Sequence, residues 1–260
     1  MSDWRQQHPV WVVGHRGAPR RARENTLDSF DAAELLGVDA VEFDLRQTRD
    51  GEAVVFHDEQ IQLGTQHLAI RSFTTREIEK LALPSEFGDY RIPRLEEVFH
   101  RYGAALRYVV EVKVASSTHR LTMARRIAHL ASVFGVTRRC LVASFDAELV
   151  KLVREVDPAL AVSFLFDRPV ALPEEGRVTP LFPAVDAVGP AKELVTPSLM
   201  EQATRSALSV HPWTADEEPE IRRLLGLGVA SVTTNAPDIA LRVRDGAPSE
   251  ERGIAVSRPA

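Results

Sequence analysis

The sequence contains few of the residues on which several classes of protein depend. Its single cysteine, Cys140, excludes an intrachain disulfide and a zinc site built on cysteines. We interpret this thiol, which begins an apolar segment, as a small core residue rather than a nucleophile. The 32 basic residues are outnumbered by 37 acidic ones, and the net charge of −5 argues against binding nucleic acid or an anionic membrane through bulk charge.

Long apolar runs are also missing. No segment approaches the roughly 18 apolar residues of a membrane span, and the first ten residues are too polar for the apolar core of a secretion signal. We therefore expect a cytoplasmic protein that is not inserted in a membrane. What is present is an ordinary composition, 44% hydrophobic and 27% charged, in 260 residues that suit one large domain.

Short apolar segments alternate with longer amphipathic ones along the chain. The short ones predict strands at 10–14, 40–45, 108–113, 140–144, 161–166, 184–189, 208–213 and 230–234. Helix-like segments lie between most of them, at 26–37, 118–135, 146–156, 196–206 and 216–228. This order predicts a single (β/α)8 TIM barrel over residues 1–245, although an open doubly wound sheet fits the same pattern.

Two segments fall outside the simple alternation. Residues 57–106 are too many for one crossover, so we expect a short insertion after the second barrel strand, with a hairpin partner and one or two helices. Residues 246–260 are polar and contain proline, which is typical of a flexible C-terminal tail.

The second predicted strand bears two acids in an apolar setting. Glu42 and Asp44 are two residues apart and therefore share one face. The turn signal Asp50-Gly51 folds the chain back and returns His57 to about position 43. Paired carboxylates repel each other unless a cation lies between them, and oxygen ligands favour Mg²⁺ or Ca²⁺. The alternative is a solvated strand face with two surface acids.

The third predicted strand repeats the pattern. Glu111 and Lys113 are again two residues apart, and lysine is scarce, with four in the whole chain. An ammonium group beside a carboxylate at a barrel mouth can neutralise a phosphoryl oxygen, or it can form a purely structural ion pair.

The end of the first predicted strand adds two more polar groups. Gly14 and Gly17 bracket His15, which titrates near neutral pH, and Arg16, whose planar guanidinium suits phosphate oxygens. The carboxyl ends of barrel strands are where barrel enzymes place their active sites. The early strands therefore predict an active site at that end.

With these motifs, the sequence resembles the glycerophosphodiester phosphodiesterase family over most of its length. HRGAPRRARENT (15–26), with Arg23 where proline is usual, and GVDAVEFDLRQTRDGEAVVFHDE (37–59) resemble the two opening blocks of that family. IPRLEEVF (92–99), VVEVK (109–113), ASF (143–145), PWT (212–214) and GVASVTTNAPD (228–238) follow in the expected order.

The resemblance implies a metal-dependent TIM-barrel enzyme that cleaves glycerophosphodiesters to sn-glycerol 3-phosphate and an alcohol. It implies one divalent cation, Mg²⁺ or Ca²⁺, at Glu42, Asp44 and Glu111, and an acid–base pair of His15 and His57. Residues implied to bind the substrate or its phosphate are Arg16, Lys113, Glu24, Asn25 and Trp213. Trp213 fits equally well as a core residue of the barrel rim.

Besides Arg23, two short segments depart from the family pattern. Thr234-Asn235 stands where the family often has Thr-Asp, and Ala215-Asp216 stands where it often has Val-Asn. We expect both departures to lie away from the metal ligands and catalytic groups, and to affect headgroup selectivity rather than activity.

Two other functions are alternatives to the hydrolysis of small glycerophosphodiesters. A lysophospholipase D-like enzyme would share the metal site but needs an exposed apolar rim, and no long apolar loop is present to build one. A non-catalytic phosphodiester-binding protein is expected to have lost a histidine or a metal ligand, and all of them are present.

Overall fold

The structure is a computed structural model that describes Trp4, residues 10–114, residues 117–173, Phe182 and residues 184–246. The strands of these residues, in chain order, are β1 (Trp11–His15), β2 (Ala40–Gln47), β3 (Ala53–Val55), β4 (Gln60–Leu63), β5 (Gln66–Ala69), β6 (Arg107–Val112), β7 (Cys140–Ser144), β8 (Ala161–Phe166), β9 (Ala187–Pro190), β10 (Ser209–Val210) and β11 (Ser231–Thr234). The helices are α1 (Leu27–Leu36), α2 (Thr75–Ile78), α3 (Leu95–Tyr102), α4 (Arg120–Val133), α5 (Ala147–Val156), α6 (Pro197–Arg205), α7 (Glu218–Gly226) and α8 (Pro237–Arg244).

Eight parallel strands form a nearly closed barrel. They lie side by side in the order β10-β9-β8-β7-β6-β2-β1-β11. The two ends of this sheet approach each other, because Ala230 N donates to Val210 O at 2.8 Å and Thr233 N donates to Pro212 O at 3.2 Å. The predicted (β/α)8 TIM barrel is therefore confirmed, and the open doubly wound sheet is excluded.

The helices begin and end at residues that the sequence marks. The Thr26 side chain accepts from Ser29 N at the start of α1, and Gly37 ends that helix in the left-handed region at φ 84°. Asp146 and Thr196 cap α5 and α6 in the same way. The five predicted helical segments contain α1, α4, α5, α6 and α7. The helices α2 and α3 lie in residues 57–106, where one or two helices were expected, and α8 was not predicted.

The sixth and seventh barrel strands are shorter than predicted. β9 begins at Ala187, three residues after the predicted start at 184, and β10 contains only Ser209 and Val210. Pro212 has no amide hydrogen to donate toward β11, although on the other side of the strand Trp213 N still donates to Pro190 O at 3.2 Å. The eight predicted strands are otherwise the eight strands of the barrel.

The insertion after β2 forms a small unit with its own core. β3 pairs antiparallel with β2, with Leu45 opposite Val55, as the hairpin signal predicts. The β4–β5 hairpin and the short α2 follow, and apolar side chains from both pack in the core of the insertion. The β4–β5 hairpin was not predicted from the sequence. Residues 247–260, most of the predicted tail, lie outside the described residues.

The amino end of the barrel is filled by aromatic side chains. Trp4 is fully buried, and its ring meets that of Trp11, at the start of β1, edge to face at 4.9 Å. The Trp4 indole donates to Arg139 O at 3.0 Å. This leaves the carboxyl end of the strands as the end that can admit a ligand.

Candidate active site

The turn after β1 needs both of its glycines. A Cβ on Gly14 would lie 2.3 Å from Gly17 O, and one on Gly17, where φ is 92°, would lie 2.4 Å from Ser29 Oγ. Between them, Arg16 has a φ of 53°, and its N–H donates to Glu42 Oε2 at 3.0 Å. The turn therefore anchors His15 and Arg16 beside the acids of β2.

Three carboxylates meet at the carboxyl ends of β2 and β6. One oxygen from each of Glu42, Asp44 and Glu111 lies within 4.8 Å of the others. The parallel register places Asp44 directly opposite Glu111. Because Glu42 is 4% and Asp44 0% exposed, the alternative of a solvated strand face is wrong.

Two fixed cations flank this acid cluster. Arg16 Nε lies 3.1 Å from Asp44 Oδ2, and Lys113 Nζ lies 3.2 Å from Asp44 Oδ1 and 2.5 Å from Glu111 Oε1. Lys113 thus forms the structural ion pair that was one of its two predicted roles. Its charge also faces the acid cluster. The two cations leave one of the three carboxylates without a compensating charge, and Arg16 is also shared with Glu24.

Glu42 is the least compensated member of the cluster. Its Oε1 is buried and accepts no hydrogen bond from the described residues. Burial, followed by the charges of Asp44 and Glu111, raises the pKa of Glu42 well above its usual value. At Asp44, burial acts in the same direction, but the charges of Lys113 and Arg16 outweigh it and lower the pKa. A buried set of oxygen donors with an unsatisfied member fits a hard divalent cation.

Glu24 and Asn25 support the cluster rather than project freely from it. Both Glu24 oxygens lie 3.0 Å from Arg16 Nη1. Asn25 Nδ2 donates to Asp44 Oδ2 at 2.8 Å, and its Oδ1 accepts from Asp44 N at 3.2 Å. Asn25 adopts a φ of 57°, which asparagine tolerates better than most residues. These two side chains fix the orientation of Arg16 and Asp44.

His15 is held from behind by a residue that sequence analysis placed away from the site. Its Nδ1 lies 2.7 Å from Asn235 Oδ1, and its Nε2 lies 3.8 Å from Glu42 Oε2. Burial, together with the charge of Arg16, lowers the pKa of His15. The expectation that the departure at position 235 lies away from the catalytic groups is therefore wrong. The position of Asn235, directly after the last barrel strand, is the signal that could have identified it.

His57 lies at the end of the returning hairpin. Phe56 N donates to Asp44 O at 2.9 Å, and Arg46 donates to His57 O at 2.6 and 2.9 Å. The His57 ring contacts Asp58 Oδ1 through Nδ1 at 2.8 Å and is 37% exposed. The backbone contact of the preceding Phe56 with Asp44 places His57 next to the acid cluster, as the predicted hairpin register requires.

Aromatic and aliphatic side chains lie on the opposite side of the mouth. Trp213 donates its indole N–H to Gly189 O at 2.8 Å and meets Phe145 edge to face at 5.5 Å. Trp213 lines a cavity together with Leu141, Ala143 and Leu165, and the ionisable residues His15, Glu42 and Glu111 line it too. Phe145, 44% exposed, was quoted as part of a motif but not predicted as a site residue. The structure thus brings all ten predicted site residues to one end of the barrel.

Comparisons with known proteins agree with this arrangement. The sequence model of the glycerophosphoryl diester phosphodiesterase family matches residues 15–239. The chain is 28% identical to a glycerophosphodiester phosphodiesterase of Caldanaerobacter subterraneus subsp. tengcongensis, over 89% of this chain and 96% of the relative. Among the described helices, none combines the length and apolar composition needed to cross a membrane.

Solved structures of other proteins have the same fold. A Silicibacter pomeroyi DSS-3 structure described as a glycerophosphoryl diester phosphodiesterase superposes with a TM-score of 0.82 at 27% identity, covering 94% of this chain and 96% of that one. An Oleispira antarctica phosphodiesterase solved with the product sn-glycerol-3-phosphate superposes with a TM-score of 0.75 at 19% identity, covering 90% and 96% of the two chains.

Proposed function

The chain belongs to the glycerophosphoryl diester phosphodiesterase family and is a glycerophosphodiester phosphodiesterase, and from this premise we propose how its site performs the hydrolysis. The proposed reaction converts a glycerophosphodiester to sn-glycerol 3-phosphate and an alcohol. The observation that supports it most strongly is the buried cluster of Glu42, Asp44 and Glu111, short of one positive charge and flanked by Arg16 and Lys113.

Glu42, Asp44 and Glu111 are the residues that would hold one divalent cation, Mg²⁺ or Ca²⁺. When bound, such an ion polarises phosphoryl oxygens and offsets the charge that develops on them. Arg16 and Lys113 act on the same charge from fixed positions, because each is tied to Asp44 at 3.1–3.2 Å. Glu24 and Asn25 contribute indirectly by orienting Arg16 and Asp44.

His15 and His57 are proposed as the acid–base pair. One histidine takes the proton of the attacking oxygen, which is either water or the 2-hydroxyl of the glycerol itself. The other donates a proton to the departing alkoxide, which is otherwise a poor leaving group. A positioned group of this kind is worth roughly 10²–10⁴ in rate.

The apolar side of the mouth is proposed to receive the glycerol carbons. Trp213 and Phe145 present their rings there, 5.5 Å apart. The exposed large apolar side chains of the described residues are Leu35, Phe87, Leu121, Val133 and Phe145, and of these Phe145 is the one that contacts a predicted site residue. This favours small soluble glycerophosphodiesters over lipids, and we place the enzyme in the cytoplasm without a nucleic acid partner. The bound product in the Oleispira relative supports the same class of substrate.

A panel of substrates tests the proposal. The purified protein is incubated with glycerophosphocholine, glycerophosphoethanolamine, glycerophosphoglycerol and lysophosphatidylcholine, each with Mg²⁺, Ca²⁺ or EDTA. Released glycerol 3-phosphate is measured with a coupled dehydrogenase, and choline release is measured for the lysolipid. We expect metal-dependent release from the soluble diesters that is lost in His57→Ala.

The same panel separates the alternatives. Choline release from lysophosphatidylcholine alone would replace the proposal with the lysophospholipase D-like function. Inactivity on all four substrates, with metal shown to bind, would replace it with a non-catalytic phosphodiester-binding function.

A further inference from the structure

Asp216 lies behind the active site and makes no hydrogen bond or ion pair to any of the ten predicted site residues. It accepts hydrogen bonds from Asn235 N at 2.7 Å, from Asn235 Nδ2 at 2.9 Å and from Thr234 Oγ1 at 3.1 Å. Thr234 Oγ1 accepts in turn from Ala236 N at 2.9 Å, so its hydroxyl hydrogen is committed to Asp216. All three contacts use Asp216 as an acceptor, as an ionised carboxylate requires.

This acceptor-only carboxylate determines which way the Asn235 amide points. If the amide were turned over, its oxygen would face a carboxylate oxygen at hydrogen-bond distance, which is repulsive. The NH₂ group of Asn235 therefore faces Asp216, and its Oδ1 faces His15 Nδ1 at 2.7 Å. The oxygen and nitrogen of an amide have similar shapes, so the orientation of Asn235 is assigned from its hydrogen-bond partners.

An amide oxygen beside Nδ1 determines the position of the proton on neutral His15. Asn235 Oδ1 can only accept, so Nδ1 must be the ring nitrogen that bears the hydrogen. Nε2 lies on the side of the cavity, 3.8 Å from Glu42 Oε2, which is too far for a hydrogen bond. Glu42 Oε2 accepts from Arg16 N and lies too far away to donate a hydrogen to Nε2, so the Nε2 lone pair is available to a substrate hydroxyl.

We propose that Asp216 is a positioning residue that acts through Asn235 to hold neutral His15 in its Nδ1–H tautomer, so that Nε2 is the atom that exchanges a proton with the substrate. This inference rests on the catalytic role of His15 in the proposed function. In the step itself, the Nε2 lone pair takes a hydroxyl proton and both ring nitrogens bear hydrogen. The reverse transfer from Nε2 restores the neutral ring.

The experiment measures the tautomer and the kinetics in the same full-length protein saturated with Mg²⁺. Long-range ¹H–¹⁵N correlation spectra identify the protonated ring nitrogen, and the His15 signals among the eight histidines are assigned with His15→Gln. We expect the Nδ1–H tautomer in the native protein. In Asp216→Asn an amide faces an amide, either orientation of Asn235 is allowed, and the Nε2–H tautomer should appear.

The kinetic expectation for Asp216→Asn is a fall in kcat of roughly tenfold to a hundredfold with KM within about threefold, as for other orienting partners behind active-site groups. The double variant Asp216→Asn/Asn235→Asp exchanges the amide and the carboxylate, keeps an acceptor beside Nδ1, and should restore both the tautomer and most of kcat. Asn235→Ala removes the acceptor and should shift the tautomer even if Asp216→Asn does not fold.

The matched control is Asp39→Asn at the amino end of the barrel. Asp39 is a similarly half-buried acid that accepts from Val12 N at 2.8 Å, and its replacement should leave the tautomer and kcat unchanged. An Nε2–H tautomer in the native protein, or an unchanged tautomer and kcat in Asp216→Asn, would overturn the inference. Full activity in His15→Gln would instead overturn the catalytic role of His15. The tautomer of His15 in the native protein can be measured in either case, so the two failures are distinguishable.

Discussion

The two sides of the barrel mouth differ in charge. On the side of β1, β2 and β6, ion pairs and hydrogen bonds of 2.5–3.2 Å join Arg16, Asp44, Glu111 and Lys113. On the side of β7 to β10, the mouth is lined mainly by apolar side chains, with Trp213 and Phe145 at its edge. A glycerophosphodiester has the same division, with an anionic phosphate and a carbon-bearing glycerol. We infer that the charged side acts on the phosphate and the apolar side determines how the glycerol fits.

The largest expected effect comes from the charged side. Glu111→Gln keeps the shape of the side chain but removes one carboxylate of the cluster and the ion pair to Lys113. We expect kcat/KM to fall about a thousandfold in a steady-state assay with glycerophosphoethanolamine and Mg²⁺. Glu34→Gln, on the exposed face of α1, is the control and should match the native enzyme. A Glu111→Gln enzyme within tenfold of native would remove this residue from the site.

His57→Ala should have an effect of similar size. The substitution removes a proton-transfer group but leaves the acid cluster intact, so kcat should fall roughly 10²–10⁴-fold while metal binding persists. His129→Ala, on the exposed face of α4, provides the comparison. If kcat were preserved in His57→Ala, the second member of the acid–base pair would have to be another group.

The apolar side should respond through KM. Trp213→Ala removes the indole that packs on Phe145 and donates to Gly189 O. We expect kcat/KM to fall roughly tenfold to a hundredfold, mostly through KM, because apolar contacts with a substrate are each worth about 1–3 kcal/mol. The kcat/KM of Trp213→Phe should lie between those of the native enzyme and Trp213→Ala. An equal loss in kcat at unchanged KM would place Trp213 in the reaction step instead.

Phe145→Ala is expected to raise KM, as Trp213→Ala does, but by a smaller factor. Its ring is 44% exposed and meets Trp213 edge to face, an arrangement worth about 0.5–1.5 kcal/mol. A rise in KM of about two- to tenfold with unchanged kcat is the expected result. A variant indistinguishable from native would show that Trp213 alone forms this side of the glycerol site.

The smallest expected effect is on the folding stability of the protein in the absence of substrate and metal. Glu42 is a buried carboxylate with one unsatisfied oxygen, so Glu42→Gln should stabilise the protein in EDTA by about 1 kcal/mol, or roughly 2–4 °C in Tm. Differential scanning calorimetry at neutral pH measures it. A lower Tm than native would mean that the acid cluster is not under electrostatic strain.

The contrast between the two sides also explains what the sequence could predict. Glu42, Asp44, Glu111 and Lys113 stood out because charged residues two apart in an apolar strand are unusual, and strand geometry then places them on one face. The apolar residues of the other side are ordinary strand residues, and only the fold shows that they line a cavity. Phe145, one residue after the end of β7, was missed because only the fold shows its contact with Trp213.

The barrel was predictable for a similar reason. Alternating apolar and amphipathic segments with marked helix ends determine the order of elements, and all eight predicted strands are in the barrel. The regular part of β10 is only two residues long, which the periodicity does not show. The contact between Asn235 and His15 joins residues 220 positions apart, and only closure of β11 onto β1 brings them together.

Calorimetric titration of the metal-free protein tests the central claim most directly. Mg²⁺ and Ca²⁺ are each titrated into the native protein and into Glu42→Gln. We predict one divalent site per chain for at least one of the two ions in the native protein, with affinity lost or greatly reduced in Glu42→Gln. No binding of either ion by the native protein, or the same affinity in Glu42→Gln, would contradict a metal centre at Glu42, Asp44 and Glu111.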